Sequence, residues 1–285
     1  MLKIGIFPNF KKNNIIDVIK SSINILKQKN VEIFFTREVA ESIGMSELGK
    51  SLNEIISSID MAIVFGGDGT FLNIARKMAP YDIPILGVNF GHLGFLTEVE
   101  VPEINTALEK ITKNEFHIEQ RMMLEAVVLK NNEENSKFIA LNDIVITKGP
   151  LVKVVRLETY INDEYVETYP ADGLIISSPT GSTAYSLSAG GPIVNPNINL
   201  MVITPICPHT LYSRSIVISD KEKVKVKINA NHQEIMLTVD GQEGFKLMPN
   251  DVVEIQKSRY TTKLIRLKNK SFYEVLRKKL TDNDS

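Results

Sequence analysis

The residues best suited to chemistry lie in Gly66-Gly67-Asp68-Gly69-Thr70, which sets one carboxylate among three glycines. An apolar run over 61–65 precedes them, and Phe71, Leu72 and Ala75 follow at helical spacing, so the segment reads as strand, phosphate loop and helix. Glycines here supply positive φ and let the backbone approach a bulky ligand closely. The first amides of the helix, with the positive end of its dipole, point at the loop. A carboxylate among those amides stays ionised, which suits Asp68 either to hold Mg²⁺ or to accept a proton from a hydroxyl. The loop fits neither GxxxxGK[ST] nor GxGxxG. Taken alone, it reads equally well as a glycine turn capped by Asp68.

A second candidate is segment 179–192, PTGSTAYSLSAGGP, a run of hydroxyls and small residues with Tyr185 as its one large side chain. It suits a close-fitting polar site, and equally a small-residue helix packed tightly on a sheet. The single cysteine, Cys207, excludes an intramolecular disulfide and points to a reducing cytosol; it is expected to be a small buried residue rather than a nucleophile. His92, His117, His209 and His232 are scattered without ligand spacing, which argues against zinc.

The chain that must position these residues changes character halfway. Strands are expected at 2–7, 31–35, 61–65 and 84–88. Amphipathic helices alternate with them: one starts at Asn13-Asn14, one carries Leu48, Leu52, Ile55, Ile56 and Ile59, one follows the glycine loop, and one spans 102–113. This alternation implies a parallel sheet. The loops after 61–65 and 84–88, the second being Asn89-Phe90-Gly91-His92-Leu93-Gly94-Phe95, then lie at carboxyl ends of strands, where such sheets bind ligands. Phe95 offers either an aromatic wall for a base or a lid on the core.

From Met122 onward helical periodicity disappears. Short β-branched and aromatic runs occur at 127–129, 138–147, 152–161, 165–169, 174–177, 201–204, 215–218, 224–228, 235–239 and 252–256, with Asn162-Asp163 as a hairpin turn. They predict a β-sandwich or related two-layer sheet. Phe272, Val275, Leu276 and Leu280 give a final amphipathic helix that packs back on the first half. The expected organisation is an N-terminal Rossmann-like α/β domain over 1–120, completed by about 262–285, and a C-terminal β-sandwich domain over 121–261.

The 285 residues are 43% hydrophobic, enough for two moderate cores, and 33 basic against 34 acidic residues leave a net charge of −1. That balance argues against nucleic acid or a membrane surface as partner, so an anionic ligand must be held locally. The opening MLKIGIFPNF has too short an apolar run for a signal peptide, and no stretch approaches a membrane span. A cytoplasmic protein is expected.

GGDGT resembles the signature shared by NAD kinases, diacylglycerol-type lipid kinases and 6-phosphofructokinases. Segment 179–192 resembles the NAD kinase family in particular, as do Asn142-Asp143, the loop from Asn89 to Phe95, Asp172-Gly173-Leu174, Pro205-Ile206-Cys207-Pro208-His209-Thr210 and Val239-Asp240-Gly241-Gln242. These motifs keep the family's order over residues 3–270. A 6-phosphofructokinase would need an α/β second lobe. A lipid kinase, the better rival, would carry a Gly-Thr-Asn-Asp loop where this chain has Gly91-His92-Leu93-Gly94-Phe95; a non-catalytic nucleotide sensor is the third reading.

The resemblance to bacterial-type NAD kinases implies transfer of the γ-phosphoryl of ATP, or of polyphosphate, to the 2′-hydroxyl of the adenosine ribose of NAD, with Mg²⁺ carried by ATP near Asp68. It implies Asp68 as the catalytic residue, with Gly69 and Phe95 beside the substrate. Asn142 and Asp143 would bind the adenosine part, and Thr183, Ala184, Tyr185, Ser186, Leu187 and Ser188 would line the same site. Asp172 and Gln242 would reach the ligand, Asp172 across a subunit interface of a homodimer or homotetramer, and Lys153 would meet phosphate. Pro170 stands where many members carry a base, a contact that Lys153 or Arg156 would replace.

Overall fold

The computed structural model describes residues 1–91, 94–131, 133–149, 154–210, 212–229, 235–268 and 271–281, so His92, Leu93, Val152, Lys153 and His232 lie outside the described residues. The chain divides into two compact units, Met1–Gln120 with Thr262–Ser285, and Arg121–Thr261.

The first unit runs β1 (Lys3–Pro8), α1 (Ile15–Gln28), β2 (Glu32–Thr36), α2 (Arg37–Ser42), β3 (Gly49–Lys50), α3 (Leu52–Ile56), β4 (Met61–Phe65), α4 (Asp68–Met78), β5 (Ile85–Asn89), β6 (Val99–Glu100) and α5 (Ile104–Thr112). Its parallel sheet has the order β5-β4-β1-β2-β3, with β6 beside β5. Both faces are covered. Ile4 and Ile6 pack with Ile19 and Ile23 of α1 and Leu108 of α5, while Gly5 faces Ile55 and Ile59. This explains why β4 is buried at all five residues rather than alternating. The helix expected from Leu48 starts later, because Ser51 and Glu54 form a capping box that begins α3 at Leu52. Gly49 and Lys50 are drawn instead into pairing with β2.

The second unit carries β7 (His117–Lys130), β8 (Glu133–Ala140), β9 (Asp143–Lys148), β10 (Val155–Ile161), β11 (Glu164–Ala171), β12 (Gly173–Ser177), α6 (Tyr185–Ser188), β13 (Leu200–Ile206), β14 (Ile216–Ser219), β15 (Val224–Asn229), β16 (Ile235–Val239), β17 (Glu243–Leu247) and β18 (Val252–Arg266), the outermost strands running a few residues past its bounds. One antiparallel sheet has the order β14-β13-β12-β9-β16-β17. The other contains β11-β10-β15-β18 with β7 and β8. Ile144, Ile146, Leu174, Ile176 and Leu237 of the first sheet share one core with Leu124, Leu157, Val226 and Ile255 of the second, which makes a β-sandwich.

The run expected over 138–147 is two strands, broken at Leu141-Asn142. The hairpin at Asn162-Asp163 is present, both residues having positive φ. β17 escapes the sequence reading because four of its five residues are not buried and it lacks an apolar alternation. The last turns of the chain belong to the first unit. Leu264 of β18 pairs with Ile85 of β5, and the ring of Phe272, at the start of α7 (Phe272–Thr281), lies 6.1 Å from that of Phe95. The side chain of Leu280 lies outside the described residues.

Candidate active site

Asp68 opens α4 directly after Gly67, at the carboxyl end of β4. Its carboxylate does not rest on the amides of its own helix. It accepts the backbone N–H of Phe95 at 3.1 Å and of Leu96 at 3.4 Å, so the loops following β4 and β5 meet on this one side chain. Gly94 permits the contact: a Cβ there would lie 2.0 Å from Oδ1 of Asp68. The Gly94 N–H is meanwhile held by Oγ1 of Thr97 at 3.1 Å.

The glycines of the loop serve a different purpose from the one expected, because none of Gly66, Gly67 and Gly69 has positive φ; among the described glycines that conformation falls on Gly44, Gly190 and Gly241. At Gly66 a Cβ would come within 2.7 Å of the Thr70 hydroxyl, which is also bonded by the Asn9 side chain. At Gly67 a Cβ would meet nothing within 4 Å, so the bare backbone faces open space. Opposed influences act on the carboxyl of Asp68. Burial pushes its carboxyl up, and the Phe95 and Leu96 N–H groups, with the charge of Lys279 on α7, oppose that push without reversing it.

The second unit builds its candidate residues around the break between β8 and β9. The Asp240 carboxylate accepts three backbone N–H groups there, from Leu141 at 3.1 Å, Asn142 at 2.7 Å and Asp143 at 3.2 Å. The Asp240 N–H donates back to the Asp143 carbonyl at 3.0 Å. Asp240 and Gly241 both have positive φ and turn β16 into β17, which puts Gln242 exposed on that hairpin. Segment 179–192 closes on the same turn: the Ser178 N–H donates to the Asn142 carbonyl at 2.8 Å, and a Cβ on Gly181 would lie 2.1 Å from that oxygen. Asp143 is buried beside a second carboxylate, and burial followed by the Asp240 charge pushes it up to about 7.

Asn142, Asp143, Gln242 and the start of segment 179–192 are thus brought together within the second unit. Along that segment Tyr185 is 45% exposed, Ser188 is exposed, and Thr183, Ala184 and Leu187 are half-buried. Ser186 is turned inward. Its hydroxyl is buried 3.0 Å from that of Thr204, and a Cβ on Gly191 would lie 2.3 Å from it. The segment thus has a polar outer side over a tightly packed inner one.

Asp172 is not in this cluster. Ser177 pairs with Asp143, whereas Asp172 precedes the other end of β12 and forms an ion pair with Lys148 at 3.0 Å. Five residues of strand separate the two positions by about 17 Å. Cys207 is exposed, with positive φ, and not buried as expected.

Two contributors were given no role from sequence. Asp240 carried a signal, since Asp-Gly after an apolar strand marks a turn and stands in the quoted motif, but its acceptance of distant amides leaves no local pattern. Arg121 is buried and donates to the Thr180 hydroxyl at 3.3 Å; its only signal is a lone cation opening an apolar strand. Among the described residues no group of three His, Cys, Asp or Glu could hold a metal ion, and no helix is long and apolar enough to cross a membrane.

Residues 4–116 match the ATP-NAD kinase N-terminal domain and residues 141–267 the ATP-NAD kinase C-terminal domain. A relative described as NAD kinase from Caldanaerobacter subterraneus subsp. tengcongensis is 52% identical over 282 residues, which cover 99% of this chain and 100% of that protein. The fold is that of yeast NADH kinase, solved with NADH, at a TM-score of 0.92 and 24% identity, covering 100% of this chain and 89% of that one. It is also similar to an NAD kinase from Archaeoglobus fulgidus solved with ATP, at a TM-score of 0.75 and 23% identity, covering 97% and 99% of the two chains.

Proposed function

Because the chain belongs to the NAD kinase family and is a kinase that phosphorylates NAD to NADP with ATP, we propose that Asp68 is its catalytic residue and that the turn at Asn142-Asp143 binds the adenosine part of NAD. The observation that carries the assignment is the holding of Asp68. Its carboxylate is fixed by two backbone N–H groups in a notch that only glycine at position 94 leaves open, and it stays partly exposed. The upward push on its carboxyl favours the role of base, since a carboxylate whose pKa is raised accepts a hydroxyl proton more readily.

The transfer asks little covalent chemistry of the protein beyond positioning and charge stabilisation. Asp68 takes the proton of the 2′-hydroxyl as that oxygen attacks the γ-phosphorus and the bond to the β-γ bridging oxygen breaks, releasing ADP. The bare backbone at Gly67 and the amino end of α4 stand toward the phosphates, where amide N–H groups stabilise anionic oxygens. Mg²⁺ fits as an ion that arrives with ATP, because such ions keep several waters and need only one or two carboxylates besides phosphate oxygens. Asp68, which stays partly exposed, would hold it, and the ion would neutralise charge on the transferring phosphoryl.

On the NAD side, an acceptor-only carboxylate at Asp143 and the side-chain amide of Asn142 suit ribose hydroxyls and the adenine amino group. Thr183, Ala184, Tyr185, Leu187 and Ser188 line the site, and Gln242 reaches it from the hairpin. Arg156, the direct cross-strand neighbour of Pro170, supplies the cation that Pro170 lacks. The distance along β12 supports a site shared between copies: Asp172 lies about 17 Å from the Asn142 turn of its own chain, so a ligand on that turn is served by the Asp172 of a second copy. A homodimer or homotetramer follows, working in the cytoplasm, where the single cysteine stays reduced.

A phosphoryl-transfer assay with Mg-ATP or polyphosphate against NAD, NADH and diacylglycerol tests the reading, and failure to form NADP would sink it. For the shared site, inactive Asp68→Asn and Asp172→Ala proteins are mixed under conditions of subunit exchange. Some activity should return; verified mixed oligomers with none would refute sharing.

A further inference from the structure

We propose that Asp240 is a positioning residue for NAD: by gathering the N–H groups of Leu141, Asn142 and Asp143 onto one carboxylate, it fixes the turn that presents the Asn142 and Asp143 side chains to the dinucleotide. The inference rests on the assignment of that turn to NAD and adds the device that shapes it.

Three features carry it. Three consecutive amides aimed at one carboxylate are more than a strand end needs, since β9 already pairs with β12 on one side and β16 on the other. The contact spans 97 to 99 residues of sequence, so it ties the β16–β17 hairpin to the β8–β9 break rather than closing a local turn. Asp240 also holds a left-handed φ of 51°, a conformation costly for most side chains but tolerated by Asp, which aims its short side chain at the turn. With the amides fixed, the Asn142 carbonyl faces the Ser178 N–H and Gly181, so the backbone of the turn is set without help from ligand. Among the described residues the same carboxylate is the charged group that acts on Asp143, where it adds to burial in favouring the protonated form.

The test is Asp240→Asn, with Asp240→Glu as the charge-keeping control. In Asp240→Asn the side-chain oxygen can keep the Asn142 and Asp143 amides while the amide nitrogen opposes the Leu141 N–H. The KM and Kd for NAD should rise by about tenfold or more, with kcat within about threefold and the KM for ATP unchanged, the signature of lost binding rather than lost chemistry. The midpoint of NAD affinity against pH should also move to lower pH, because one of two causes raising Asp143 is gone; Asp240→Glu should keep that midpoint near the wild-type value. A role confined to stability would lower the melting temperature and leave both KM and midpoint in place, and that result overturns the proposal.

If neither variant folds, hydrogen exchange on the wild-type protein decides. The amides of 141–143 should be protected before NAD is added, as strongly as those of β9, and free exchange until NAD binds would refute pre-positioning. Wild-type protein that fails to bind NAD in calorimetry would refute the assignment of the turn itself, whereas wild-type binding with an unchanged Kd in folded Asp240→Asn refutes only the role of Asp240.

Discussion

Replacing Gly94 by alanine inserts one methyl group into the contact that holds Asp68, and the structure sets the size of the effect. The new Cβ would stand 2.0, 2.4 and 2.5 Å from Oδ1, Cγ and Oδ2 of that carboxylate. A comfortable non-bonded separation is about 3.5 Å, so the carboxylate or the loop must retreat by roughly 1 to 1.5 Å. The N–H bonds from Phe95 and Leu96, at 3.1 and 3.4 Å, cannot survive that displacement. A misplacement of about 1 Å costs about 10²-fold in rate.

Gly94→Ala should therefore lower kcat by about 10²-fold, and calorimetric binding of NAD should survive because Asn142, Asp143 and Tyr185 are untouched. Overpacking adds a stability loss of about 1 to 3 kcal/mol. That loss should largely vanish in an Asp68→Ala background, where the clashing atoms are absent, so a double-mutant cycle read by denaturant melts isolates the contact. A Gly94→Ala enzyme with kcat within about threefold of wild type, or a stability loss of equal size in both backgrounds, would refute the reasoning.

Asp68→Asn keeps shape and removes charge, so kcat should fall by about 10²- to 10⁴-fold while folding and NAD binding persist; turnover within about tenfold of wild type would remove Asp68 from the role of base. Tyr169 is fully buried and its hydroxyl has no hydrogen-bond partner among the described residues, with burial raising its pKa to about 12. Tyr169→Phe should leave stability unchanged or raise it, since an unpaired buried hydroxyl contributes nothing and costs desolvation; a loss of about 1 kcal/mol in urea melts would expose a hidden partner.

Much of the architecture was legible because it rests on periodicity. The buried run of β4 and the stripe of Ile19, Ile23 and Leu26 on α1 are set by the hydrophobic pattern, and so is the switch to short β-branched runs after Met122. The site was legible in its residue types and less so in its contacts. Asp68 could be singled out, but its partners, Phe95 and Leu96, lie 27 and 28 positions away, and the need for Gly94 is visible only once the two loops meet. The same holds for Ser186, whose inward turn depends on Thr204 and Gly191 rather than on its neighbours in sequence. Local rules speak to elements, and the hydrogen bonds that finish a site are made between elements.

Asp68 and Asp143 are both raised by burial, yet their surroundings differ and so should their pH signatures. At Asp68 the push of burial is opposed by three N–H groups and a cation, whereas burial and a second carboxylate push the same way on Asp143, to about 7. The ribose hydroxyls and amino group of NAD are donors, so they require Asp143 ionised, and below that value binding must first remove a proton. NAD affinity should then fall by up to about tenfold for each pH unit below 7, a limb carried by kcat/KM and by the calorimetric Kd. The sign for stability is opposite. From its ordinary value near 3.8 up to about 7, the folded chain holds a proton that the unfolded chain has lost, so ligand-free stability declines as pH rises through that window. Asp143→Asn should flatten both profiles while leaving the pH dependence of kcat, set by Asp68, in place. Isothermal titration and denaturant melts at pH 5, 6, 7 and 8 read the two limbs separately, and a wild-type Kd constant across that range would refute the assignment of Asp143 as an ionised acceptor.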